Sequence, residues 1–341
     1  MLKILLVVLF LGTYLLGLVH GSRASGSRNP EAKEYQGMDT SKRKAFDELL
    51  AQNDAFRRMS PHEQFLSLES REDWQQVPKI ALASMLQDVA GVKEFLEIGD
   101  NADSSGTDGE TCLMYAAQGG NLELLKTLVQ AGATVDLQDP RGMTALIYAA
   151  ENGKSEAVHF LLESRGNPHI ETKNRRTLLH AAVSSRDVET IKLVLGTHQN
   201  INAQTDFGAT PLLFASMGRA PLTIELLLEN GADPNTAAAD GLTPLIAATT
   251  DSQSFRPANP DCVRLLLAHG ARVNTQKSNG WTALMGASFY GDLEVVRLLI
   301  DSGANVFVSD NQGRTALSLA TQSGKLEIAR FLTTKTMTSE M

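Results

Sequence analysis

Apolar positions along residues 109–332 fall into two kinds of short segment that alternate. The first opens on Thr and continues with small and aliphatic residues, as in Thr210-Pro211-Leu212, Thr243-Pro244-Leu245 and Thr282-Ala283-Leu284. The second is Leu-rich and closes on Gly-Ala, as in Leu226-Leu227-Leu228 before Gly231-Ala232 and Leu298-Leu299-Ile300 before Gly303-Ala304. This patterning predicts two short helices per unit. The Thr hydroxyl can cap free amides at the start of the first helix, and Pro at 211 or 244 suits its first turn. Gly132, Gly231, Gly270 and Gly303 would end the second helix in a left-handed conformation.

The units recur at a fixed period. Thr111, Thr144, Thr177, Thr210 and Thr243 are each 33 residues apart; Thr282 follows after 39 and Thr315 after 33 again. A small residue stands five positions after each Thr, at Ala116, Ala149, Ala182, Ala215, Ala248, Ala287 and Ala320, so neighbouring first helices can approach closely. A single unit cannot bury its own apolar face, and stability must come from stacking on neighbours. The pattern resembles the ankyrin repeat, a turn plus two antiparallel helices every 33 residues. The resemblance implies an all-α solenoid of stacked helix-turn-helix units with turn fingers, and a role in binding another protein.

It also implies where a partner sits. In the family, targets meet the turn tips just before the Thr and the exposed end of the first helix. Here those positions are Phe207 and Met217 in repeat four, Leu242 in repeat five, and Trp281, Phe289 and Tyr290 in repeat six. Exposed aromatic and apolar side chains mark binding surfaces, whereas local packing would bury them. The expected binding face is the concave side of repeats four to six.

Around the seven repeats (109–332), counting back one period puts Pro78 at the Thr position and makes 77–108 a degenerate unit, so that the solenoid runs 77–332. Residues 41–76 read as a helical N-terminal cap: Ser60-Pro61-His62-Glu63 has the form of a capping box with Phe65 and Leu68 on one face, and Ala45–Phe56 is amphipathic. Residues 22–40 read as a flexible linker and 333–341 as a polar, disordered tail. Repeat five carries six extra residues within 249–260, either a binding-face insertion or a tolerated connector. Repeat three has Arg175-Arg176 where a Gly normally precedes the Thr, and His198 where the terminating Gly belongs. With Lys173 and Arg186 these residues form either a basic patch or a solvated charge cluster.

The first 21 residues differ in kind. Lys3 is followed by an apolar run from Ile4 to Val19 and then by small and basic residues, which reads as a secretory signal peptide; the alternative is an uncleaved signal anchor, with Arg23 and Arg28 held on the cytoplasmic side. Export (to the periplasm or secretory pathway) is expected for the first reading and membrane attachment for the second.

Composition and charge narrow the chemistry. A net charge of −8 argues against nucleic-acid binding, which needs clustered Lys and Arg. The two cysteines, Cys112 and Cys262, fall four repeats apart, roughly 40 Å at ~10 Å of helix spacing, too far to bridge. Neither they nor the seven scattered His show zinc spacing, and His180 takes the family's turn-bracing position. The acidic residues from Glu94 to Glu110 lack the order of a calcium loop. No phosphate-cradling loop or nucleophile elbow occurs. The expectation is a non-catalytic, monomeric binding module without metal or cofactor. It is either exported, inhibiting or scaffolding a partner, or membrane-anchored, recruiting a cytosolic one.

Overall fold

The computed structural model describes residues 58–69, 77–250 and 259–339. The signal or anchor segment, the linker, the amphipathic stretch at 45–56, the core of the insertion at 251–258 and the last two residues lie outside them. All described elements are helices. An isolated bridge pairs Ser309 with Thr315.

The chain divides into two compact units, 1–107 and 108–341. In the first, α1 (Pro61–Glu69) packs against α2 (Lys79–Met85), which pairs with α3 (Val89–Glu97). The capping box forms: Glu63 accepts from the Ser60 amide at 2.7 Å, and Ser60 Oγ accepts from the Glu63 amide at 3.3 Å. Phe65 and Leu68 are buried as the pattern requires, with the Phe65 ring 5.4 Å from that of Phe95. Pro78 occupies the Thr position but gives α2 no side-chain cap, which is why this unit looks degenerate in sequence. Asp88 caps α3 instead, accepting from the Gly91 amide.

The second unit holds seven helix pairs: α4 (Cys112–Gly119) with α5 (Leu122–Gln130), α6 (Ala145–Glu151) with α7 (Ser155–Glu163), α8 (Leu178–Ser185) with α9 (Val188–Leu195), α10 (Pro211–Met217) with α11 (Pro221–Glu229), α12 (Pro244–Thr249) with α13 (Pro260–Ala268), α14 (Ala283–Tyr290) with α15 (Leu293–Asp301), and α16 (Ala316–Gln322) with α17 (Leu326–Ser339). First helices contact first helices of neighbouring repeats and second helices contact second helices, giving two layers. Each repeat Thr is an N-cap whose Oγ1 accepts an amide three residues on, at 3.2–3.4 Å. The seven Ala positions are at most 2% exposed, and this lets the first layer close up. Between the layers lie fully buried aliphatics such as Leu128, Leu161, Leu227 and Leu299, each contributing ~2 kcal/mol by transfer from water.

Between repeats the chain makes a finger, a tight turn closed by its own backbone bonds. Each fingertip then donates to the one before it: the amides of Lys173, Asp206, Ala239, Ser278 and Asn311 reach the carbonyls of Arg141, Asn174, Phe207, Asp240 and Asn279 at 2.8–3.2 Å. Six consecutive fingers are thereby joined main chain to main chain, a row that fixes the spacing of the side chains they display.

The C-terminal end departs from the expected tail. Helix α17 continues to Ser339, so residues 333–339 are helical. Within it Thr333, Thr334 and Thr336 turn their hydroxyls back onto the carbonyls of Ala329, Arg330 and Thr333.

Candidate partner-binding cleft

The face carrying the first helices and the fingers holds a cleft of about 430 Å³ over repeats three to five. Its walls come from Phe207, Leu213, Phe214, Met217 and Leu242, and Arg176 closes one end. Three of the expected binding residues therefore meet at one place. Phe207 is 75% exposed on its fingertip and Met217 61% exposed at the end of α10, while Leu242 is half-buried between them. Ala209, Ala238 and Ala239 also line it.

Below the cleft lies a polar brace. His180 is fully buried. Its Nδ1 accepts from the Thr177 amide at 3.2 Å, which leaves the proton on Nε2, donated to the Ala209 carbonyl of the next finger at 3.0 Å. Burial pushes the imidazole down to about 4, the Ala209 bond opposes this and the Arg176 charge adds to it. Phe214 stands edge-on to His180 with centroids 5.3 Å apart, and the Arg176 guanidinium lies over Phe214 at 5.6 Å. Arg176 is itself held by Glu151 at 2.9 Å and Ser184 at 3.2 Å. The turn-bracing role expected of His180 is what its geometry performs.

The other expected residues gather in repeat six, away from the cleft lining. Trp281 meets Phe289 edge-on at 5.7 Å, Phe289 meets Tyr290 at 5.2 Å, and Arg314 of the next finger lies 5.9 Å over Trp281. All three rings are half-buried. They combine the two readings open in sequence: each packs on a neighbour and each keeps an outward edge.

Sequence reasoning missed a third cluster on repeats one and two. The Tyr148 hydroxyl lies 2.7 Å from Glu110 and 3.0 Å from Asp139, and hydrogen-bonds Arg141 as well. Arg141 in turn pairs with Glu110 at 2.9 Å and Asp139 at 3.0 Å. Burial raises the Asp139 carboxyl, but the Met143 amide, Arg141 and Tyr148 outweigh it and hold the group low. Every charge here is met internally, so the cluster reads as a clamp between fingers. Tyr148 sits inside a run of apolar helix residues and gave no polar signal in sequence.

Chemistry of other kinds finds no support among the described residues. Both cysteines are buried, in α4 and α13, and form no disulfide; burial pushes the Cys262 thiol up to about 11. Among the described residues no group of His, Cys, Asp and Glu is arranged to hold a metal ion, and no helix is long and apolar enough to cross a membrane.

Comparison with known proteins agrees with this architecture. The family model for ankyrin repeats (3 copies) matches residues 80–174, 149–238, 179–276 and 254–339, well over half of the chain. The chain belongs to the ankyrin-repeat family, whose repeats are non-enzymatic protein-protein interaction modules. Among solved structures it is similar to the human ASB11 ankyrin repeat domain, at 28% identity over 64% of this chain and 96% of that one, with a TM-score of 0.56. It is also similar to the ankyrin repeat domain of Bcl-3, a member of the IkappaB family, at 31% identity over 65% of this chain and 99% of that one, with a TM-score of 0.53. No curated protein matches the chain.

Proposed function

We propose that this protein binds a partner protein through the first-helix and finger face of repeats three to six, with the Phe207–Met217–Leu242 cleft as the principal contact. The exposure of Phe207 and Met217 around an apolar recess carries the reading: two large apolar side chains held open to water by a rigid scaffold gain by association. The half-buried aromatics of repeat six extend the surface. Binding is non-catalytic, and the protein inhibits or scaffolds what it holds.

Capture from the native compartment tests this. Phe207→Ala with Met217→Ala is expected to keep the circular-dichroism spectrum and melting midpoint while lowering recovery of the wild-type partner. Trp281→Ala with Phe289→Ala is expected to weaken capture less and also to keep the fold. Undiminished capture by the Phe207/Met217 variant would remove the cleft from the function, and unfolding of the Trp281/Phe289 variant would make those rings core.

The apolar run from Ile4 to Val19 favours export with cleavage, and anchoring in the membrane is the second reading. N-terminal sequencing of the mature chain decides between them: a start near residue 22 supports export, and an intact Met1 supports the anchor.

A further inference from the structure

Among the described residues six non-glycine residues adopt a left-handed backbone, and the five in the second unit are all basic: Arg165, Arg175, Arg186, His198 and Arg219. They stand in consecutive repeats, at positions where other repeats place glycine. The fingertip position of Arg175 is Gly142, Gly208, Gly241, Gly280 and Gly313 elsewhere, and the helix-corner position of Arg186 and Arg219 is Gly120, Gly153, Gly291 and Gly324. An L-residue pays a steric penalty there that glycine does not. Left-handed non-glycine residues of this kind cluster at functional sites and ligand clamps.

Two of these arginines flank the cleft. Arg175 lies between Asn174 and Arg176, both of which line it. The Arg186 guanidinium comes within 3.4 Å of where a Cβ on Gly218 would lie, beside Met217. Lys173 is exposed on the same fingertip as Arg175. Among the described residues neither Lys173 nor Arg186 makes an ion pair, and Arg175 has only Glu171, at 3.9 Å. Of the carboxylates on these elements, Glu151 is taken up by Arg176 at 2.9 Å, Asp240 by Lys277 at 3.3 Å, and Asp187 caps α9 by accepting from the Thr190 amide at 2.8 Å, which leaves Glu171 and Asp206. Among the described residues Lys173, Arg175 and Arg186 thus stand as three exposed cations against two uncommitted carboxylates, on a chain whose net charge is −8.

We propose that the cleft recognises an acidic linear segment of its partner: one large apolar side chain enters among Phe207, Phe214, Met217 and Leu242, and carboxylates beside it pair with Lys173, Arg175 and Arg186. The inference rests on the cleft being the binding site and adds the chemistry of what enters it. The recess and its one-sided charge favour a peptide over a flat anionic membrane.

The test selects random phage-displayed dodecapeptides on the full chain, then measures one selected peptide by fluorescence anisotropy. Enrichment of Asp and Glu around a single Leu, Phe, Met or Trp is expected. Arg175→Gly with Arg186→Gly is expected to weaken that peptide about tenfold at low salt, and raising wild-type samples from about 0.05 M to about 0.5 M salt to weaken it similarly. The same double variant is expected to melt no lower than wild type, since glycine relieves both left-handed residues, so loss of binding is separated from loss of fold. Neutral or basic selected peptides, no selected peptide, an affinity the glycine variant leaves unchanged, or binding to phosphatidylserine vesicles in preference to peptide overturns the inference. If Phe207→Ala with Met217→Ala abolishes binding while the glycine variant does not, the cleft stands and its acidic preference falls. If neither variant changes binding, both readings fall.

Discussion

His180 ties the fold's stability to pH in a way that can be measured. The imidazole is fully buried, neutral and committed at both nitrogens, so the folded chain takes up a proton there only near pH 4, whereas an unfolded His does so near 6.5. Above 6.5 neither state carries the proton and stability is at its full value. As pH falls from 6.5 toward 4 the unfolded state binds a proton that the folded state refuses, and stability declines; below 4 both states bind it and this contribution levels off. Integrated between pH 7 and pH 4.5, the depression corresponds to roughly 2.5 kcal/mol. Urea denaturation followed by circular dichroism should show that loss in the wild type. The His180→Leu variant should be weaker at pH 7, because the Thr177 amide and the Ala209 carbonyl lose their partner, yet nearly flat across the same window. The difference between the two slopes isolates His180 from the other titrating groups. Equal slopes would refute the reasoning, and so would a wild type that gains stability on acidification. Because Ala209 and Phe214 both touch His180, an effect of its protonation on partner binding should appear only as the pH approaches 4, where the folded chain itself takes up the proton.

Three further outcomes follow from particular contacts. Thr144→Ala removes the cap on α6 and should cost ~1 kcal/mol in urea denaturation. Gly303→Ala should cost about 1 kcal/mol, since only its left-handed backbone objects, whereas Gly280→Ala, whose Cβ would sit 2.7 Å from the backbone of Asp310 and Asn311, should cost distinctly more; equal losses would show that the fingers give way easily. Cys262, buried with its thiol held near 11, should resist iodoacetamide at pH 8 in the native chain and react once urea is added, as followed by mass spectrometry.

What the sequence disclosed and what it hid divide along physical lines. Thr caps, the buried Ala row and the Leu-rich second helices obey local rules repeated every 33 residues, so helix order and layer assignment could be read directly. Phe207, Met217 and Leu242 could be named as surface candidates because their register was known. That they share a recess could not be read, since it depends on Phe214 turning onto His180 and Arg176. The left-handed state of Arg165, Arg186 and Arg219 was hidden for a related reason: an arginine in a corner normally filled by glycine looks like an ordinary surface charge. The Glu110–Arg141–Tyr148 clamp joins residues 31 to 38 positions apart, and no local pattern announces it. The helical run to Ser339 was masked by the low helix propensity of Thr.

The fingertip row separates two jobs that most binding surfaces combine. Its joining bonds run from amide to carbonyl, and any residue except proline supplies that amide. Lys173, Asp206, Ala239, Ser278 and Asn311 already differ in charge, size and polarity while donating the same bond. The side chains on the tips can therefore be exchanged almost letter by letter without unfastening the array. A new target needs new letters only, and an engineer could rewrite residues 173–174 or 206–207 for another ligand while leaving the scaffold as it stands.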